Sequence, residues 1–256
     1  MSNLEIHQFP CLSDNYGVII RDPGSGQVAS IDVPDAAAVR DALNEKGWSL
    51  THILVTHHHW DHTQGVEELK RETGATVIGP AGEASKIPGL DTAVGDGETF
   101  RFGEHTVEVI ATPGHTAGHI ILHMPDAEVA FVGDTLFAMG CGRVSEGTMD
   151  QMWDSVSKVG ALPEATELYC GHEYTVANAR FALTVDPNNK ALQARAKSVE
   201  ALRAEGKSTL PTTVGEERAT NPFLRASDPS IRKHLGMPDA TDAAVFAEVR
   251  ERKNRA

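Results

Sequence analysis

Cysteine is scarce in this chain: Cys11, Cys141 and Cys170 form neither a C-x-x-C pair nor an even-numbered set. A disulfide framework is thereby excluded, and a reduced, cytoplasmic setting is expected. Long apolar runs are missing too. Nowhere do the roughly 18 consecutive apolar residues of a membrane span stand together, and Met1 to Ile6 has neither the basic start nor the apolar stretch of a signal peptide. Positive charge is outweighed, with 23 Lys and Arg against 36 Asp and Glu, a formal net charge of -13. Such a surface speaks against nucleic acid and against anionic membranes as partners. Internal repeats and low-complexity tracts are absent as well. What remains is a soluble globular chain of 256 residues, 40% apolar and 23% charged, long enough for one large domain and a smaller appendage.

Short apolar segments separated by turn residues open the chain. Gly17 to Ile20 and Val28 to Ile31 read as hairpin strands. Asp35 to Lys46 carries Ala38, Val39, Ala42 and Leu43 at helical spacing and stops at Gly47, and Gly65 to Thr73 forms a second helix before Gly74. Ile53 to Val55 is a buried strand between them. Strands follow at Glu98 to Phe102, His105 to Ile110, Ile120 to Leu122 and Val129 to Val132, the first two joined at Gly103-Glu104. A capping box, Thr148-x-x-Gln151, starts a helix to Val159, and Glu167 to Cys170 is the last strand. From Tyr174 onward the pattern is helical, over Tyr174 to Val185, Lys190 to Glu205 and Asp242 to Asn254. The expected organisation is a mixed α/β domain over 1-172 and an all-helical domain over 173-256.

The densest chemistry lies in Thr56-His57-His58-His59-Trp60-Asp61-His62, directly after the strand at Ile53 to Val55. In an extended segment His57 and His59 project to one side and His58 to the other. Asp61 and His62 follow where the chain leaves the sheet. Imidazole nitrogen and carboxylate oxygen suit zinc, with iron or manganese as substitutes, so H-x-H-x-D-H reads as half of a two-metal site. The plainer reading is a polar turn that happens to be rich in histidine.

Further donors recur at strand ends. His115 follows the strand ending at Ile110, Asp134 the one ending at Val132, and His172 the one ending at Cys170. Counting donors gives His57, His59 and His115 for one ion and Asp61, His62 and His172 for the other, with Asp134 able to bridge. His58 and His119 are expected to support these ligands, and Asp32 either to orient one of them or to shape a turn. His7, His52, His105, His123 and His234 are taken as surface or packing residues. The basic stretch Arg250 to Arg255 has two readings, a site for an acidic small molecule or a solvated helix end.

In their order, Thr-His-His-His-Trp-Asp-His, Thr112-Pro113-Gly114-His115-Thr116, Gly133-Asp134-Thr135-Leu136-Phe137 and Cys170-Gly171-His172-Glu173-Tyr174-Thr175 resemble the metallo-β-lactamase superfamily. Ala138 to Arg143, Asn221-Pro222-Phe223-Leu224-Arg225 and Arg250-Glu251-Arg252-Lys253-Asn254 narrow the resemblance to its glyoxalase II, or hydroxyacylglutathione hydrolase, branch. It implies an αββα sandwich with a C-terminal helical domain and hydrolysis of S-(D)-lactoylglutathione to D-lactate and glutathione, in methylglyoxal detoxification; a monomer is expected. The seven ligands are then those chosen above, Asp61 and Asp134 are the catalytic carboxylates beside a metal-bound hydroxide, and Arg143, Tyr174, Arg250 and Lys253 bind glutathione. Two positions after Arg143, where the family usually carries an aromatic residue, stands Ser145. The alternative on the same fold is a persulfide dioxygenase-like iron oxidoreductase. Cys141 and Cys170 are expected to pack as small apolar residues, with no protein nucleophile required.

Overall fold

The computed structural model describes residues 4–256. Met1, Ser2 and Asn3, part of the stretch read above for a signal peptide, lie outside the described residues. The chain divides into two compact units, one of residues 1–111 and 116–133, the other of residues 112–115 and 134–256. Among the described residues no helix is long and apolar enough to cross a membrane.

The first unit begins with β1 (Glu5–Cys11), β2 (Asn15–Arg21) and β3 (Val28–Ile31), paired antiparallel in that order. Helix α1 (Ala36–Lys46) then crosses to β4 (His52–Leu54), and α2 (Trp60–Thr63) and α3 (Val66–Thr73) lead to β5 (Thr76–Pro80). With β6 (Thr92–Val94) at the edge, β3 to β6 run parallel, as helical crossovers require. Helix α1 starts where the Asp35 side chain accepts from the N–H groups of Ala37 and Ala38, and ends at Gly47 with φ 66°. Its buried face is Ala36, Val39, Ala42 and Leu43, so Ala36 takes the place expected for Ala38.

That face packs with Leu69 of α3 and with Ile19, Ile53 and Val77 of the sheet. Leu69 is wholly buried, so its truncation to alanine would cost about 2–5 kcal/mol. The alternate residues Ile20, Leu54 and Ile78 point to the other face and are buried as well. A sheet covered on both faces needs apolar residues on both, which is why its central strands read as short unbroken runs. Strands β1, β5 and β6 escape the sequence pattern. A second group, β7 (Thr99–Phe102), β8 (His105–Ala111), β9 (Ile120–Met124) and β10 (Val129–Gly133), forms an antiparallel meander. Its first turn falls at Gly103, φ 57°, with Phe102 opposite His105, as expected.

The second unit holds a small ribbon of β11 (Leu136–Phe137) and β12 (Gly140–Cys141), then α4 (Met149–Gly160) and β13 (Glu167–Cys170). The capping box of α4 forms with both reciprocal bonds. Helices α5 (Thr175–Val185) and α6 (Lys190–Ala204) pack through Ala179, Ala182, Leu192, Ala196 and Val199. Then come β14 (Thr212–Thr213), α7 (Val214–Thr220), α8 (Pro229–Leu235) and α9 (Asp242–Asn254). Strand β14 pairs with β13 and is the one departure from an all-helical tail among the described residues.

Candidate metal centre

In the first unit the register of β3 and β4 sets the site. Ile31 lies opposite Leu54, so both strands deliver their next residues to the same edge. Asp32 turns there with φ 54°, in the left-handed region that aspartate tolerates better than most residues. Its N–H donates to Leu54 O at 2.9 Å, and its carboxylate accepts from Thr56 N–H and Thr56 Oγ1, both at 2.8 Å. The same carboxylate meets His62 Nδ1 at 2.8 Å. Asp32 thus both shapes the turn and meets the His62 ring.

The extended backbone expected through His59 stops at Leu54, and Trp60 already begins α2. His57 and His59 still come together, with ring centroids 4.9 Å apart. His57 is wholly buried, its Nδ1 3.0 Å from Thr56 Oγ1, and its ring stacks on His119 at 4.7 Å. Donor atoms of Asp32, His57 and His62 lie within 4.8 Å of one another. Asp61 places Oδ2 3.7 Å from His62 Nε2 and accepts from Asn15 Nδ2 at 3.2 Å. Asn15 is absent from the sequence-derived site; it lies 46 residues from Asp61, and no motif joins them. His58 turns away to Glu83, which accepts from its backbone N–H at 2.7 Å and meets its Nδ1 at 2.8 Å.

The second unit gathers two imidazoles around one carboxylate oxygen. His115 Nε2 and His172 Nε2 stand 3.3 Å and 3.4 Å from Asp134 Oδ2, and all three side chains are buried. His115 Nδ1 is 3.0 Å from Arg143 O, and the His172 ring lies flat on Tyr174, centroids 4.7 Å apart and planes within 3°. Gly142 permits this packing, because a Cβ there would collide with Asp134 O.

The donor chemistry fits a metal. In His57, His62 and His115 the Nδ1 atom faces a protein oxygen, so Nε2 is the nitrogen that would meet a metal. Imidazoles and carboxylates gathered in buried and partly buried surroundings are the ligand set of zinc and of the neighbouring first-row metals.

Residues 14–172 match the model of the metallo-beta-lactamase superfamily, and residues 173–256 match that of the hydroxyacylglutathione hydrolase C-terminus. The hydroxyacylglutathione hydrolase of Rhizobium meliloti is 56% identical over 254 residues, 99% of each chain. That of Brucella anthropi is 57% identical over 251 residues, covering 98% of this chain and 96% of its own. The chain belongs to the hydroxyacylglutathione hydrolase family of the metallo-β-lactamase superfamily. Its fold is correspondingly the α/β metallo-β-lactamase fold with a C-terminal helical domain. The crystal structure of ETHE1 from Myxococcus xanthus aligns with a TM-score of 0.70 at 25% identity, covering 98% of this chain and 91% of the other.

The positions that likeness to the hydroxyacylglutathione hydrolases assigns to glutathione all fall in the second unit. Arg143 is exposed and Tyr174 is 37% exposed. Lys253 is half-buried, with Nζ 3.3 Å from Ala177 O and 5.1 Å over the Phe181 ring. Arg250 is only 4% exposed; its Nη1 donates to Cys141 O at 2.9 Å and its guanidinium lies over Phe223. The solvated-helix-end reading of the basic stretch fits Arg252 and Arg255 but not Arg250 and Lys253. Arg252 pairs with Glu248 at 2.7 Å and Arg255 with Glu251 at 3.7 Å along the helix end, whereas Arg250 and Lys253 are packed inward. Burial pushes the Cys141 thiol up to about 11 and Cys11 to about 12, and moves Cys170 further in the same direction. None of the three is an activated nucleophile. His105 and His123 meet Asp126 and Glu108 in packing roles, as expected.

Proposed function

We propose that the chain is a dinuclear metal-dependent thioester hydrolase that converts S-(D)-lactoylglutathione to D-lactate and glutathione. The observation that carries the reading is the Asp134 carboxylate flanked by His115 and His172, in a chain 56% identical to a hydroxyacylglutathione hydrolase over its full length. His57, His59, Asp61, His62, His115, Asp134 and His172 hold two divalent ions, zinc by preference, with iron or manganese accommodated by the same donors. When bound, such ions polarise a carbonyl and acidify water. Asp134 also receives the proton that water gives up as it adds to the thioester carbon. The C–S bond then breaks, and glutathione leaves as its thiolate.

Arg143, Tyr174, Arg250 and Lys253 bind the glutathione half. Lys253 meets carboxylate as a point charge, and Tyr174 offers a ring face fixed by its stack on His172. Residues 173–256 are the substrate-binding domain in this reading, and 1-172 the catalytic one. The enzyme works as a cytoplasmic monomer, without nucleic acid or membrane. The iron-oxidoreductase alternative has less support, since residues 173–256 match the hydroxyacylglutathione hydrolase C-terminus. The test is a comparison of lactoyl thioesters. The glutathione ester should exceed the ester of a simple uncharged thiol by about 100-fold in kcat/KM, or ~2.7 kcal/mol. Equal rates would remove glutathione from the assignment.

A further inference from the structure

Glu217 is a fully buried carboxylate on α7, outside the proposed metal and substrate sets. It accepts four hydrogen bonds: from Arg195 Nη2 at 2.6 Å, Thr212 Oγ1 at 2.7 Å, Met139 N–H at 2.9 Å and Asn221 Nδ2 at 2.9 Å. The first two tie it to α6 and to β14. The last two face the turn between β11 and β12. Asn221 Nδ2 also reaches Gly140 O at 2.9 Å and Phe137 O at 3.2 Å, and Asn178 Nδ2 donates to Ala138 O at 3.2 Å. Side chains from the helical segment thus hold backbone groups of four consecutive residues, Phe137 to Gly140.

That turn needs holding. Met139 is a buried, long-chain residue with φ 55°, a conformation that costs about 1–3 kcal/mol and persists only where its surroundings enforce it. The turn is also flanked by the candidate site. Asp134 stands just before it, Gly142 N–H donates to Thr135 O at 3.3 Å, and Arg143 O faces His115 Nδ1 at 3.0 Å. A buried ion pair such as Glu217–Arg195, 2.6 Å apart, adds little net stability over apolar packing of the same volume. What it supplies is direction, because a carboxylate accepts bonds only from donors placed to meet it.

We infer that Glu217, oriented by Arg195 and acting with Asn221, is a positioning residue that sets the place of Asp134 through the Phe137–Gly140 turn. The inference rests on the reading of Asp134 as a metal ligand. Glu217→Gln keeps the shape but turns an N–H₂ group toward one of the two donor pairs, Met139 N–H with Asn221 or Arg195 with Thr212, so that the four bonds can no longer all form. Asn221→Ala removes the donor to two carbonyls and leaves the Glu217–Arg195 pair.

The experiment compares these variants with the wild type and with Ile231→Ala, a wholly buried apolar residue on α8 that makes none of the network's side-chain hydrogen bonds and whose loss lowers stability. Zinc affinity is measured by competition with a chelator, and backbone hydrogen exchange over 136–143 is measured on the metal-free proteins. Glu217→Gln and Asn221→Ala should each weaken zinc binding by about tenfold or more and speed exchange over 136–143. Ile231→Ala should lower Tm and leave both readouts as in the wild type. Wild-type zinc affinity in both turn variants overturns the inference. So does an equal weakening in Ile231→Ala. Should Glu217→Gln not fold, Asn221→Ala decides by the same criteria. A wild type that takes up no zinc overturns the metal reading itself, and its own measurement separates that failure from the others.

Discussion

Asp32 Oδ2 lies 2.8 Å from His62 Nδ1, and the same carboxylate accepts from Thr56 N–H and Thr56 Oγ1. One buried side chain thereby fixes the start of the histidine loop and the ring of its last histidine. A carboxylate on Nδ1 also raises the basicity of Nε2, the nitrogen left for a metal.

Asp32→Asn should therefore weaken metal binding by about 10–100-fold while leaving the fold in place. Chelator competition against the wild type measures it. Unchanged affinity would show that Thr56 alone orders the loop.

Gly142→Ala should be far more harmful than its one added methyl suggests, because the Cβ would collide with Asp134 O and approach His115 Nδ1. Metal content and kcat should fall together, by about tenfold or more. Retention of both would mean that the loop yields without moving Asp134.

Arg250 and Lys253 should separate on mutation. Arg250→Ala leaves Cys141 O without its 2.9 Å donor in a buried setting, so Tm should fall by an amount matching about 1–3 kcal/mol, along with a rise in KM. Lys253→Ala should raise KM about tenfold, or ~1.4 kcal/mol, with kcat and Tm little altered. Burial, and then the neighbouring Arg250, hold Lys253 below the ordinary lysine range. As pH rises it discharges before a free lysine would, so KM should climb on the alkaline side below pH ~10.4. Lys253→Arg, which stays charged, should flatten that climb; an identical climb would assign it to another group.

The thiols should be inert. With Cys141 near 11, about one thiol in a thousand is ionised at pH ~8. A thiol reagent should label the native protein slowly and the unfolded protein fully, with activity intact after brief exposure. Rapid loss of activity on labelling one cysteine would revive a covalent mechanism.

Where the sequence was legible, local chemistry carried the signal. Asp35 and Gly47 mark both ends of α1, the Thr148–Gln151 box marks α4, and Gly103 marks the β7–β8 turn. The candidate donors stood out because their residue types are rarely crowded together without cause. Other elements were not. β14 and the β11–β12 ribbon have two residues per strand, and α7 and α8 have seven each, too short for a period to show. Asn15, Glu83 and Glu217 were invisible for another reason: each acts on a partner 25 or more residues away, so their meaning exists only once the chain has folded. The strand expected to lead into the histidines ends at Leu54 and the chain bends at Thr56, so the pairing of His57 with His59 arises through a loop rather than through strand alternation.

The most direct test of the account is a titration of metal-free protein with zinc, following loss of the thioester absorbance of S-(D)-lactoylglutathione at each step. Turnover should rise with added zinc and level off at about two ions per chain. Rapid turnover without metal, or none with both ions bound, would contradict it.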